Sequence, residues 1–181
     1  LVEIPTSLRH GFMSEECLFL TDARDSRVRL IRAAGAAPTA VLIDPNLAAG
    51  LSSKLASSCV IDGLMGAVES YVSARASFLS DHVLEKAIEL LAGALGTLIS
   101  RPDDPAARAE AWKGAFMAGL GQGLSAPGIG TALSLAINAR YGVPKASLAA
   151  ILLPYSLELA TESRLEKVAK LGGVPLVVAQ R

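Results

Sequence analysis

Asp62 is the residue on which any chemistry of this chain turns. It stands in the stretch Ser58-Cys59-Val60-Ile61-Asp62-Gly63-Leu64-Met65-Gly66-Ala67-Val68-Glu69-Ser70-Tyr71-Val72, whose apolar members recur at helical spacing. Asp62 and Gly66 are four residues apart and share one helix face. A carboxylate inside so apolar a helix needs a cation or several donors. Other chemistry-bearing residues are few. His10 falls in a loop and His82 opens a helix beside Asp81, so both read as solvated imidazoles rather than metal ligands. Cys17 and Cys59 lack metal spacing and read as small buried hydrophobes of a reduced, cytoplasmic protein, without a disulfide between them. The run Gly119-Leu120-Gly121-Gln122-Gly123 follows a helical pattern rather than a strand, so it reads as close helix packing and not as a phosphate loop.

The elements that must position Asp62 follow from periodicity. Residues 1–6 and 16–21 read as strands, 27–31 alternates as a half-buried strand should, and 39–43 is a β-branched run stopped at Asp44-Pro45. From Ser52 the period changes to 3.6. Ser52 or Ser53 caps a helix to about Ala74, and Ser80 or Asp81 caps a second from His82 to about Ser100. After Arg101-Pro102-Asp103-Asp104-Pro105, either aspartate caps a third helix that ends near Leu124. A fourth spans about 130–141, a fifth 145–160 with Pro154 inside it and a kink expected there, and a sixth 164–171 before Gly172-Gly173 and a short extended tail. The expectation is a mainly α protein with a short β-rich N-terminal lead-in.

Bulk composition narrows the partners. The 181 residues suffice for one domain with a real core. Hydrophobic residues make up 51% but aromatics only 4%, so Ala, Leu, Val and Ile must build that core. Seventeen basic residues balance 17 acidic ones, which leaves no electrostatic case for nucleic acid or acidic lipid. The longest uncharged run, 114–139, could span a bilayer by length, but its glycines and polar residues suit a buried helical hairpin better, so no membrane partner is expected. No charged stretch precedes an apolar one at the start, so no signal peptide is expected. The chain begins inside an apolar run that reads as a strand already under way, as a piece of a longer protein would.

Several short motifs in series carry a family likeness. Ile4-Pro5-Thr6-Ser7, Ser14-Glu15, Leu20-Thr21-Asp22, Ile43-Asp44-Pro45-Asn46-Leu47, Ile61-Asp62, Ala67-Val68-Glu69-Ser70-Tyr71-Val72-Ser73, Tyr141-Gly142-Val143-Pro144 and Ala150-Ile151-Leu152-Leu153-Pro154 resemble the iron-containing (group III) alcohol dehydrogenases in order and spacing. The resemblance runs to about Leu159, with a small insertion near residues 8–13. It implies a dehydroquinate-synthase-like fold in which 1–47 is a β-rich remnant of the nucleotide-binding domain. Residues 48–181 would be the helical, metal-bearing domain, cut short.

In that family one Asp and three His hold a divalent cation that polarises the alcohol or aldehyde oxygen beside NAD or NADP. Carried over, the Asp is Asp62. The family's first His falls on Gly66, its His-x-x-x-His on Thr131 and Leu135, and its last ligand on Lys145. The second member of that His-x-x-x-His pair is the family's proton-transfer residue. No imidazole stands at any of the four positions, so no metal is expected, and the metal site is degenerate. Of the loop that holds the nicotinamide end, Thr6 and Ser7 keep the first hydroxyls, while the main cofactor-binding segment is absent from this chain. Lys145 brings an ammonium to a ligand position facing Asp62, and the two are expected to pair. The alternative is that Lys145 points to solvent and Ser58 or Thr131 holds the carboxylate.

Two functions follow from the likeness. One is an NAD(P)-dependent oxidoreductase for a small alcohol or aldehyde that works without metal, with Lys145 as electrophile, Asp62 beneath it and Thr131 relaying a proton. The 102–114 region also resembles the maleylacetate reductases. The other is a catalytically inactive homologue that serves as a binding or assembly partner. The family habit implies a homo-oligomer, a dimer or larger.

Overall fold

The computed structural model describes residues 1–8, 15–159, 164, 166, 167, 169 and 170. Four short strands come first: β1 (Val2–Glu3), β2 (Cys17–Asp22), β3 (Arg27–Arg32) and β4 (Ala40–Val41). A single 3-10 turn (Pro45–Ala48) then leads into α1 (Ser53–Tyr71), α2 (Phe78–Ser100), α3 (Pro105–Gly123), α4 (Ile129–Tyr141) and α5 (Lys145–Glu158). The mainly helical architecture matches the expectation.

The strands make two separate ribbons and no common sheet. β1 pairs with β4 in parallel, and β2 pairs with β3 as an antiparallel hairpin with Asp22 opposite Arg27. The alternation in β3 does not translate into a half-buried strand. Leu30 and Ile31 are both exposed, because the ribbon packs chiefly against α4, and nothing else among the described residues covers these side chains.

Local chemistry explains the helix boundaries. The Ser52 hydroxyl accepts from the Leu55 N–H at 3.3 Å and starts α1. The start of α2 lies earlier than periodicity suggests, at Phe78. Ser77 and Ser80 form a reciprocal capping box there, in which serine at the third position takes the place of the usual glutamate. Phe78 and Leu79 are exposed, so the apolar pattern could not mark this first turn. Asp104 rather than Asp103 caps α3, accepting from Ala107 at 2.9 Å. Gly142, with φ at 68°, closes α4 in the left-handed conformation.

The core lies among α1, α2 and α3. Val60, Leu84, Leu91 and Leu98 are fully buried there around Trp112, with Ala87, Ala111, Ala115 and Ala118 filling the close approaches. Gly114 shows how close these are: a Cβ at that position would stand 2.8 Å from Leu91 Cγ. Gly114 and Gly121 of the long uncharged run therefore serve contact between α3 and α2, and no helix among the described residues is long and apolar enough to cross a membrane.

Of the expected sixth helix, residues 164, 166, 167, 169 and 170 carry helical backbone, while 171–181 lie outside the described residues. Polar contacts tie these residues to the core. Lys167 Nζ donates to Asp81 at 2.7 Å and to the Tyr71 carbonyl at 3.2 Å, and it sits 4.7 Å from the centre of the Tyr71 ring. Lys170 Nζ donates to Glu85 at 2.6 Å, and the Tyr71 hydroxyl donates to the same oxygen at 2.7 Å. The ammonium of Lys170, then the Tyr71 hydroxyl, hold the Glu85 carboxyl below the usual carboxylate range. Burial, and then Glu85 itself, push the Tyr71 phenol well above its ordinary range.

Candidate active site

Asp62 and Lys145 meet. Asp62 points from the middle of α1 and is 5% exposed, while Lys145 is the first residue of α5. The Lys145 Nζ lies 2.8 Å from Asp62 Oδ1 and donates to Oδ2 at 3.0 Å, so the ammonium bridges both carboxylate oxygens. Both side chains are largely withdrawn from water. Such a pair is worth its desolvation only when the geometry is close, as it is here. Pro144 and Gly142 explain the placement: they stop α4 and aim the first turn of α5 back at α1.

The pair forms one wall of a cavity of about 550 Å³. Ser7, Ser58 and Asn138 line it together with Lys54 and Ser147. Thr6 is exposed and precedes Ser7 at the edge of the described lead-in. Thr131 and Leu135 line a different cavity, of about 600 Å³, between α4 and the β2–β3 hairpin. Thr131 is buried, and its Oγ1 has no hydrogen-bond partner among the described residues. The structure therefore brings together Asp62, Lys145 and Ser7, and it places Thr131 elsewhere. Gly66 is buried on α1 with no side chain to offer. His10 lies outside the described residues, and His82 is occupied at the surface, its Nδ1 2.8 Å from the Phe78 carbonyl.

A second buried carboxylate escaped the sequence reading. Glu69, two turns beyond Asp62 on α1, accepts from three backbone N–H groups at the start of α4. Gly130 donates at 2.7 Å, Thr131 at 2.9 Å and Gly128 at 3.2 Å. Gly128 has no side chain with which to cap α4, and Glu69 supplies the missing acceptor from another helix. Both positions are tight: a Cβ at Gly128 would meet Glu69 Cδ at 2.6 Å, and one at Gly130 would meet Ser156 Oγ and then Glu69 Oε1 at 2.7 Å, so a larger residue would displace this carboxylate. The signal was present: a carboxylate seven residues after Asp62 in the same apolar helix raises the same demand for a partner.

The donor set does not suit a divalent cation. An ammonium occupies hydrogen-bond distance from the one carboxylate that would be a ligand. Among the described residues no three His, Cys, Asp or Glu side chains converge on a point where an ion could sit. The arrangement can instead offer a carbonyl or alkoxide oxygen a buried N–H donor, set in a cavity with several hydroxyls.

Comparison with known proteins places these features. A sequence profile described as the Fe-containing alcohol dehydrogenase family, C-terminal, matches residues 56–179. Lactaldehyde reductase of Escherichia coli (strain K12) is 32% identical over 142 residues, covering 76% of this chain and 36% of that protein. Among solved structures, an alcohol dehydrogenase from Oenococcus oeni superposes with a TM-score of 0.89 at 21% identity, covering 99% of this chain and 49% of that one. A sulfoacetaldehyde reductase from Bifidobacterium kashiwanohense in complex with NAD+ gives 0.82 at 22% identity, over 89% of this chain and 43% of that one. The chain thus spans less than half the length of each of these three.

Proposed function

Because this chain belongs to the iron-containing alcohol dehydrogenase family, we propose that it carries the helical half of a nicotinamide-dependent oxidoreductase for a small alcohol or aldehyde, in which an ammonium replaces the metal. Residues 1–47 are then the end of the nucleotide-binding domain and 48–181 the helical domain. The observation that carries the reading is the bridging of Asp62 by Lys145 Nζ at 2.8 and 3.0 Å on the wall of the cavity. NAD or NADP, when bound, would supply or accept the hydride, and by the family resemblance Thr6 and Ser7 would hold its nicotinamide end.

Lys145 has three protons, of which Asp62 engages one edge. The remaining N–H donates to the carbonyl oxygen and hands over its proton as negative charge develops there. Asp62 holds the ammonium in place before reaction. Thr131 borders the neighbouring cavity, so its hydroxyl contributes a proton only if the two cavities exchange water.

The test is steady-state reduction of small aldehydes by the purified full-length protein, with its metal content measured by plasma mass spectrometry. Turnover without stoichiometric iron or zinc is expected, together with a roughly hundredfold loss of kcat in Lys145→Met and partial retention in Lys145→Arg. Stoichiometric metal, or unchanged kcat in a folded Lys145→Met, overturns the reading.

One observation favours the second reading, an inactive homologue kept as a binding or assembly partner. The two buried charges neutralise each other, and a neutral brace between α1 and α5 needs no substrate. Quenching of NADH or NADPH fluorescence on addition of the protein distinguishes the two, since the brace alone does not require cofactor binding.

A further inference from the structure

We propose that the Asp62–Lys145 cavity selects a substrate that carries one carboxylate, recognised by Lys54. The inference rests on the reductase reading for its reaction and on the cavity itself for its chemistry. Among the described residues, two ammonium groups and one carboxylate line the cavity and every other lining residue is uncharged, so these walls carry one surplus positive charge. Lys145 and Asp62 neutralise each other. The surplus charge is that of Lys54, whose ammonium has no ion pair or hydrogen bond among the described residues.

The placement gives the cavity two ends. Lys54, Ser58 and Asp62 stand at intervals of four on α1 and so rise along one face of the helix. Their Cα atoms cover about 12 Å from first to last at the helical rise of 1.5 Å per residue. Lys54 is exposed and marks the mouth, whereas Asp62 and the ammonium it holds mark the buried end. A lysine side chain is long enough to close part of that span, so a ligand of a few carbons can reach from one ammonium to the other.

A carbonyl at the buried end and a carboxylate at the mouth fill that interval, with the hydroxyls of Ser58 and Ser147 along its side. The first turn of α5 adds to the same field. Its N-cap is Pro144 and no side chain caps it by a hydrogen bond, so the positive end of the helix borders this cavity. A neutral aldehyde of the same length would leave the Lys54 charge unanswered.

Succinic semialdehyde and butanal are matched in length and differ in the carboxylate, and so test the proposal directly. The wild-type protein should favour the acid in kcat/KM by roughly ten- to a hundredfold, the discrimination one charge-assisted contact supplies. In Lys54→Met that preference should collapse towards unity through a higher KM for the acid, and Lys54→Arg should restore much of it. A wild-type ratio near one, or a ratio unchanged in Lys54→Met, overturns the inference.

Calorimetric titration with butyrate and with butanol separates this inference from the reductase reading. Butyrate binding that is lost in Lys54→Met upholds the anion site even if neither aldehyde turns over, in which case only the reductase reading fails. No butyrate binding, or equal binding in the variant, overturns the anion site whatever the turnover.

Discussion

The α1–α2–α3 half and the α4–α5 half of this molecule are held by different forces. In the first, Val60, Leu84, Leu91, Leu98 and Trp112 are sealed from water, and alanines and glycines let the backbones close around them. In the second, the buried residues are Gly130, Thr131 and Ser134 of α4 and Leu148 and Ala149 of α5. Ile129, Leu133, Ile151, Tyr155 and Leu159 remain exposed there. With so little apolar burial, α4 and α5 are fastened to α1 by polar bonds: Glu69 to three N–H groups, and Asp62 to Lys145. The Ser125 hydroxyl adds a bond to the Ser70 carbonyl at 2.8 Å just before α4. The candidate site lies on this seam. A side chain that must meet a substrate cannot also be locked in an apolar core, so its position has to come from directional bonds.

The contrast can be broken from either side. Leu91→Ala should have the largest effect, lowering stability by about 3–4 kcal/mol, because a fully buried leucine leaves a cavity that close-packed neighbours cannot fill. Denaturant unfolding followed by circular dichroism would show it as one cooperative shift. Lys145→Met strips a buried carboxylate of its cation and should cost about 3 kcal/mol, whereas joining it to Asp62→Leu should recover most of that loss. A double-mutant cycle measures the recovery. If the variants add independently, the seam is not held by this pair.

Glu69→Gln should cost about 2 kcal/mol, since an amide offers one acceptor oxygen where the carboxylate offers two. Hydrogen exchange should locate this loss in α4 and leave α2 and α3 protected. Uniform loss of protection across all helices would mean the two halves unfold as one.

The smallest effect concerns pH. The Glu85 carboxyl is held below its ordinary range by Lys170 and Tyr71, so its contribution is present above the unfolded value of about 4.3 and fades as the pH falls through the folded value. The difference in thermal midpoint between wild type and Glu85→Gln should therefore shrink as the pH is lowered from about 6 to below 4. A gap that widens on acidification would contradict the assigned direction.

Much of this was legible from residue types alone, for physical reasons that particular residues show. Ser52 and Asp104 announce helix starts because a short acceptor side chain is the cheapest partner for an orphan N–H. Asp62 announces a partner because an apolar helix face has none to give. The start of α2 was misplaced because its first turn is exposed, so hydrophobic periodicity carries no information there. The strand 27–31 reads as half-buried because alternation records a preference, while burial needs a covering layer, and α4 covers little of this hairpin.

Sequence alone determined that this chain is mainly helical from Ser52 to about Leu159, that its core is built mostly of aliphatic side chains, and that a buried carboxylate on α1 required compensation. These are properties of spacing, capping and solvation, which act within a few residues. Only the tertiary structure decided that Lys145 answers Asp62, that Glu69 answers three N–H groups across the seam, and that Thr131 opens onto a separate cavity. Those matches join residues about 60 to 80 positions apart. Spacing within one helix says nothing about which end of another helix packing will bring against it.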